Sequence, residues 1–103
     1  MNSLGIDIGT TGICGICVDC ESGEILNSVN VNNDSFIKTE NSYERIQDPA
    51  RIMEIVTDIA GRLVTEDTKA IGISNQMHGV LYTDCGGKAV SPLYTWQDER
   101  GNL

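Results

Sequence analysis

Basic residues are scarce in this chain. Seven Lys and Arg stand against fifteen Asp and Glu, a net charge of -8 over 103 residues. A sequence-independent nucleic-acid binder needs a basic footprint, so that class is excluded. The same balance is a poor general lure for an anionic substrate. Any phosphate site therefore has to be built locally, from backbone N–H groups or a metal. Long hydrophobic runs are missing as well, and none approaches the roughly eighteen residues of a membrane span. The opening Met1-Asn2-Ser3-Leu4 lacks a basic segment and runs straight into a strand-like pattern. No signal peptide is read from it, and the expected compartment is the cytoplasm. Neither GxxxxGK(S/T) nor GxGxxG occurs, so this is not a Walker loop or a dinucleotide fingerprint.

Histidine is also nearly absent, His78 being the only one. The four cysteines thus lack the usual companions of a zinc site. Cys14, Cys17 and Cys20 are three apart, but Ile13, Ile16 and Val18 interleave with them, which reads as a strand. An iron–sulfur run normally needs a loop to wrap the cluster. The cysteines, Cys85 included, are expected to be small buried hydrophobes in a reducing compartment. Cys14 shares a strand face with Ile16 and Val18, and Cys17 points the other way.

What remains is an ordinary globular balance, 40% apolar with 11 glycines, enough for one domain or a piece of one. Residues 3–8 alternate, with Leu4, Ile6 and Ile8 on one face and Gly5 and Asp7 on the other. Gly9-Thr10-Thr11-Gly12 is a turn, residues 13–19 a second strand, and 24–31 a third after Glu21-Ser22-Gly23. Residues 32–47 are polar and read as a loop. The spacing predicts a helix over 48–64, with Asp48 as N-cap, Pro49 at the first position and a stripe of Ile52, Val56, Ile59 and Leu63. Residues 69–74 and 79–84 read as strands four and five. Cys85-Gly86-Gly87-Lys88 is a turn, and 89–96 returns as a sixth extended segment. The order β-β-β-α-β-β-β is α/β, and the helical crossover lets strand four lie parallel to strand one in a mixed sheet. With one helix expected, one face of that sheet is expected to lack a cover. The chain is accordingly expected to be a piece of a longer protein.

Three places carry chemistry. Asp7 is a carboxylate in an apolar strand, a costly placement unless it is paired. Two residues later, two glycines and two hydroxyls can aim backbone N–H groups and hydroxyl donors at one phosphate. A single carboxylate beside them suits a hydrated magnesium ion. The alternative is a plain hairpin turn with a structural aspartate. Asn75-Gln76-Met77-His78 follows strand four, at the carboxyl end where open α/β sheets gather ligands. It is either a pocket wall for a polyhydroxylated ligand or a loop with a surface histidine. Trp96-Gln97-Asp98-Glu99-Arg100 joins the sole tryptophan to an amide, two acids and an arginine. That set suits sugar recognition, or else a packed tryptophan before a solvated charged segment.

Taken together, these stretches resemble the amino-terminal part of the FGGY carbohydrate kinases, of the actin-like ATPase superfamily. The matching residues are Leu4 to Gly12, Gln47-Asp48-Pro49, Gly72 to Gly79 and Thr95 to Arg100. The resemblance implies a ribonuclease H-like fold with central strand order 3-2-1-4 and a hairpin after strand four. Residues 1–103 would be part of the N-terminal domain. It implies ATP and Mg2+ as cofactors, with Asp7 engaging magnesium through water. Gly9, Thr10 and Thr11 would face the terminal phosphates. Gln76, Met77, His78, Trp96 and Asp98 would fall at the sugar. Met77-His78, where glycerol kinases have Arg-Glu, points to a ketose. The run Ser91 to Asp98 is most like sedoheptulokinases, with xylulokinases next. The family's catalytic base, second phosphate loop and adenosine site would lie beyond residue 103, so this segment alone is expected to be inactive. The resemblance also allows a homodimer of the parent enzyme. Two rivals stand beside it: another ATPase or kinase of the superfamily, such as a glycerol kinase, and a stand-alone binding module without catalysis.

Overall fold

The computed structural model describes residues 1–102, which divide into two compact units. The first comprises Met1–Asn33 and Met53–Gln76. The second comprises Asp34–Ile52 and the residues from Met77 onward.

The first unit is built on a four-stranded sheet. Its strands are β1 (Asn2–Ile8), β2 (Gly12–Asp19), β3 (Ile25–Asn32) and β5 (Thr68–Asn75), in the order β3-β2-β1-β5. The short turns at 9–11 and 20–24 make β1, β2 and β3 an antiparallel meander. β5 returns parallel to β1 after α1 (Pro49–Leu63), with Leu4 opposite Ile71 and Asp7 opposite Ser74. The expected order 3-2-1-4 is therefore the observed one. Asp48 caps α1 as anticipated, its Oδ1 accepting the Ala50 N–H at 3.0 Å.

Period-2 alternation decides which side of the sheet α1 covers. Ile13 and Cys17 are buried with Leu4 and Ile6, and Gly15 lies between the two β2 residues. A Cβ at Gly15 would stand 2.6 Å from Ile59 Cγ2 and 2.8 Å from Leu63 Cδ1, so a missing side chain lets the helix come this close. The buried stripe of α1 is Ile52, Ile55, Ile59 and Leu63. Val56, assigned to that stripe from the spacing, is only half-buried. Positions 55 and 56 both fit a 3.6-residue period within half a turn, and packing chooses between them. Gly5, Asp7, Cys14 and Ile16 occupy the other face, where this unit has no helix among the described residues.

The cysteines depart from expectation. Cys17 alone is buried; Cys14 is half-buried, and Cys20 and Cys85 are exposed, all four as free thiols. Cys14 follows the strand period onto the uncovered face, while Cys20 and Cys85 fall in turns.

The second unit departs further. Within the stretch read as loop, Ile46–Gln47 form a short strand, β4, antiparallel to β6 (Leu93–Tyr94). The strand expected over 79–84 reduces to isolated bridges, Val80 to Tyr94 and Thr83 to Ala89. The Tyr82 N–H donates to Ser91 Oγ at 3.0 Å, which takes it out of a regular ladder, and Pro92 has no N–H to offer. The turn after it is as expected. Gly87 adopts φ 83°, and Asp84 Oδ1 accepts the N–H groups of Gly86 and Lys88, each at 2.9 Å.

Candidate active site

The hairpin between β1 and β2 is held from three directions. Gly9 N–H donates to Gly12 O at 3.0 Å and closes the turn. A Cβ at Gly9 would stand 2.5 Å from that carbonyl oxygen, so only glycine fits. Asn33, buried at the end of β3, donates through Nδ2 to Gly9 O at 3.0 Å and through its N–H to Thr11 O at 2.9 Å. Gln76, just past β5, donates its N–H to Ile8 O at 2.9 Å and accepts the Thr10 hydroxyl at Oε1, also at 2.9 Å. The turn's donors are thus partly spent on its own shape. Thr11 keeps its N–H and hydroxyl without a partner among the described residues.

Asp7 lies at the foot of this hairpin. It is exposed, and its partner is the neutral hydroxyl of Ser74, which donates to Oδ1 at 2.8 Å. The pairing that a carboxylate in an apolar strand calls for is thus supplied by a hydroxyl, and Asp7 also stays in reach of water. It opens into a shallow hollow of about 380 Å³ with Gly5, Gly72 and Cys14. Oδ2 has no partner among the described residues. One exposed carboxylate with an open oxygen, beside a turn with spare donors, fits a hydrated magnesium ion accompanied by phosphate.

The second unit holds a separate hollow of about 720 Å³. His78, Trp96 and Asp98 line it together. Met77, 70% exposed, is not in its lining, and Gln76 belongs to the first unit with the hairpin. His78 is exposed, with φ 61°. Trp96 is exposed too, offering its ring as a wall. Arg100, part of the charged cluster read beside Trp96, lines it as well, with Thr95; sequence reasoning missed Val80, Tyr82 and Tyr94, which complete the lining. The available signal was a pair of tyrosines in the two expected hairpin strands; they meet edge-to-face with centroids 6.2 Å apart. Asn33 was missed as well, inside a stretch read as polar loop.

Asp98 is almost entirely spent on protein groups. Its Oδ1 accepts Arg100 Nε at 2.7 Å, and its Oδ2 accepts Arg100 Nη2 and the Arg45 N–H, each at 3.0 Å. The Arg100 guanidinium, followed by the N–H groups of Arg45 and Arg100, holds the Asp98 carboxyl well below the usual carboxylate range. Arg100 is raised in turn, chiefly by Asp98. Its guanidinium lies 4.3 Å from the Tyr94 ring centroid, so one wall of the hollow is a cation stacked on an aromatic ring. Among the described residues no group of three or more His, Cys, Asp and Glu could hold a metal, and no helix is long and apolar enough to cross a membrane.

A mixed sheet of order β3-β2-β1-β5, with a glycine hairpin between its first strands and a helical crossover into a parallel fourth, defines the ribonuclease H-like arrangement of actin-like ATPases. The gluconate kinase of Lactobacillus acidophilus shares it with a TM-score of 0.83 and 27% identity, over 94% of this chain and 20% of that one. A xylulose kinase of Staphylococcus xylosus is 30% identical over 101 residues, 94% of this chain and 20% of its own length. A glycerol kinase of Acinetobacter baylyi is 32% identical over 104 residues, with coverage of 94% and 20%. The N-terminal domain of the FGGY family of carbohydrate kinases matches residues 2–102, and the chain belongs to that family. It spans about a fifth of the length of the relatives it matches.

Proposed function

We propose that residues 1–103 are the opening part of the N-terminal domain of an ATP-dependent sugar kinase, which transfers the γ-phosphoryl group to a hydroxyl of a ketose. The observation that carries this reading is the family match over residues 2–102. The hairpin geometry supports the nucleotide half. Gly9 lets the backbone come close, the spare N–H and hydroxyl of Thr11 suit phosphate oxygens, and Asp7 has an open oxygen for a water of the magnesium shell. Magnesium, when bound, would neutralise charge developing on the phosphates. The hollow of the second unit supports the sugar half, with the Trp96 ring against C–H faces and the His78 imidazole taking a hydroxyl. Met77 would border the sugar from outside that hollow. Asp98 would act on the sugar only through Arg100 and the wall it holds.

Phosphoryl transfer asks little covalent chemistry of the protein, so positioning supplies most of what this segment gives. The base that takes the hydroxyl proton would be supplied from beyond residue 103. The Met77-His78 pair favours a ketose such as sedoheptulose or xylulose over glycerol. Calorimetric titration of the whole enzyme with xylulose, sedoheptulose, gluconate and glycerol, alongside ADP release, tests the reading. Heat and turnover with a ketose are expected; silence with every sugar would overturn it.

A further inference from the structure

Two threonines sit side by side at the hairpin tip, yet they are treated differently. Thr10 Oγ1 gives its proton to Gln76 Oε1 at 2.9 Å, while Thr11 keeps both donors without a partner among the described residues. Gln76 is fixed independently, because its N–H is bound to Ile8 O at 2.9 Å, one residue before the turn begins. The backbone of residue 76 thus grips the end of β1, and its side chain grips the tip of the loop that β1 feeds. Asn33 mirrors this from the far side of the sheet, gripping Gly9 O and Thr11 O. A turn bounded by Gly9 and Gly12 has many conformations of its own, and two amides from flanking strands remove them.

We propose that Gln76 is a positioning residue of the phosphate hairpin and not a sugar ligand: it holds Thr10, and Thr11 is left as the donor that meets the nucleotide. This rests on the kinase reading above and goes beyond it by moving a residue expected at the sugar to the nucleotide side. The Thr10 hydroxyl, with its hydrogen committed to Gln76, keeps acceptor lone pairs only. Its side chain then fixes the loop, and of the two hydroxyls only that of Thr11 has a hydrogen left for a phosphate oxygen.

A double-mutant cycle on the whole enzyme tests this. Nucleotide and sugar affinities are titrated separately for the wild type, Thr10→Val, Gln76→Met and the double variant, with Thr10→Ser as the conservative control. Gln76→Met keeps the length of the side chain and loses the acceptor. Each single variant is expected to weaken ATP about fivefold, the worth of one hydrogen bond. The double variant should be no weaker than either single, because both remove the same contact. Sugar affinity should be unchanged in Gln76→Met, and Thr10→Ser should bind ATP like the wild type. Additive losses, or a Gln76→Met enzyme that loses sugar and keeps ATP, would overturn the assignment while leaving the kinase reading intact. A wild-type enzyme that binds no nucleotide would overturn both. Should Gln76→Met fail to fold, Thr10→Val against Thr10→Ser still decides: equal ATP affinities in these two would show that the shared bond positions nothing.

Discussion

Ser74 faces Asp7 across the parallel β1–β5 pair and donates its hydroxyl to Oδ1 at 2.8 Å, leaving Oδ2 without a partner among the described residues. A neutral partner orients the carboxylate without neutralising it. Replacing Asp7 with Ala should therefore abolish magnesium-dependent turnover of the whole enzyme while sugar affinity stays within about twofold. Ser74→Ala should leave turnover measurable, with a raised magnesium requirement. Weakened sugar binding with normal turnover in Asp7→Ala would contradict the role given to Asp7.

Gly9 offers a steric test. A methyl group there meets the Gly12 carbonyl oxygen at 2.5 Å, and backbone cannot yield as a side-chain end can. Gly9→Ala should cost about 1–3 kcal/mol of stability. It should also lose ATP affinity, since the turn must reshape. Melting temperature and nucleotide titration check both. An alanine variant with wild-type nucleotide affinity would mean that the turn's shape is irrelevant to the ligand.

His78 and Trp96 line one hollow of the second unit. His78→Ala should raise the sugar KM about tenfold and the ATP KM far less, as expected for a lost hydrogen bond to one substrate only. Equal rises in both constants would move the ring from the pocket to the scaffold.

The Asp98–Arg100 pair sets an acid limit. Arg100 holds the Asp98 carboxyl below its ordinary value of 3.8, and Asn41, Thr39 and Arg100 lower Glu44 likewise. A carboxyl whose folded value is depressed adds stability that is fully present above its unfolded value and is lost as pH falls toward the folded one. Melting temperature should thus hold steady from neutrality to about pH 5 and fall below about pH 4. Asp98→Asn should be less stable at pH 7 and show a shallower acid slope. Equal slopes in the two proteins would remove Asp98 from the account.

The central sheet was legible because its information is local. Alternation at 3–8 and 13–19, two short turns and one crossover leave little choice of order. The capping of α1 by Asp48 was legible for the same reason. The second unit was not, because its pairing is between distant segments: Ile46 meets Tyr94 across 47 intervening positions, and two-residue strands leave no periodicity to read. Tyr82 and Tyr94 become pocket walls only through that pairing. Gln76 was placed with the sugar because it stands in one matching run with Met77 and His78 after strand four, and a run of residues does not show that its side chain turns back to Thr10. Asn33 lay hidden among Asn32, Asp34 and Ser35, where composition cannot tell a buried brace from a solvated loop.

His78 holds a backbone angle of φ 61°, a region that side-chain-bearing residues enter at a cost of roughly 1 kcal/mol or more. A glycine would relieve that tension and leave a bare spot where the imidazole stood. Selection for heat resistance alone would therefore tend to discard this ring. Anyone toughening the enzyme for use would do well to protect position 78 from the search.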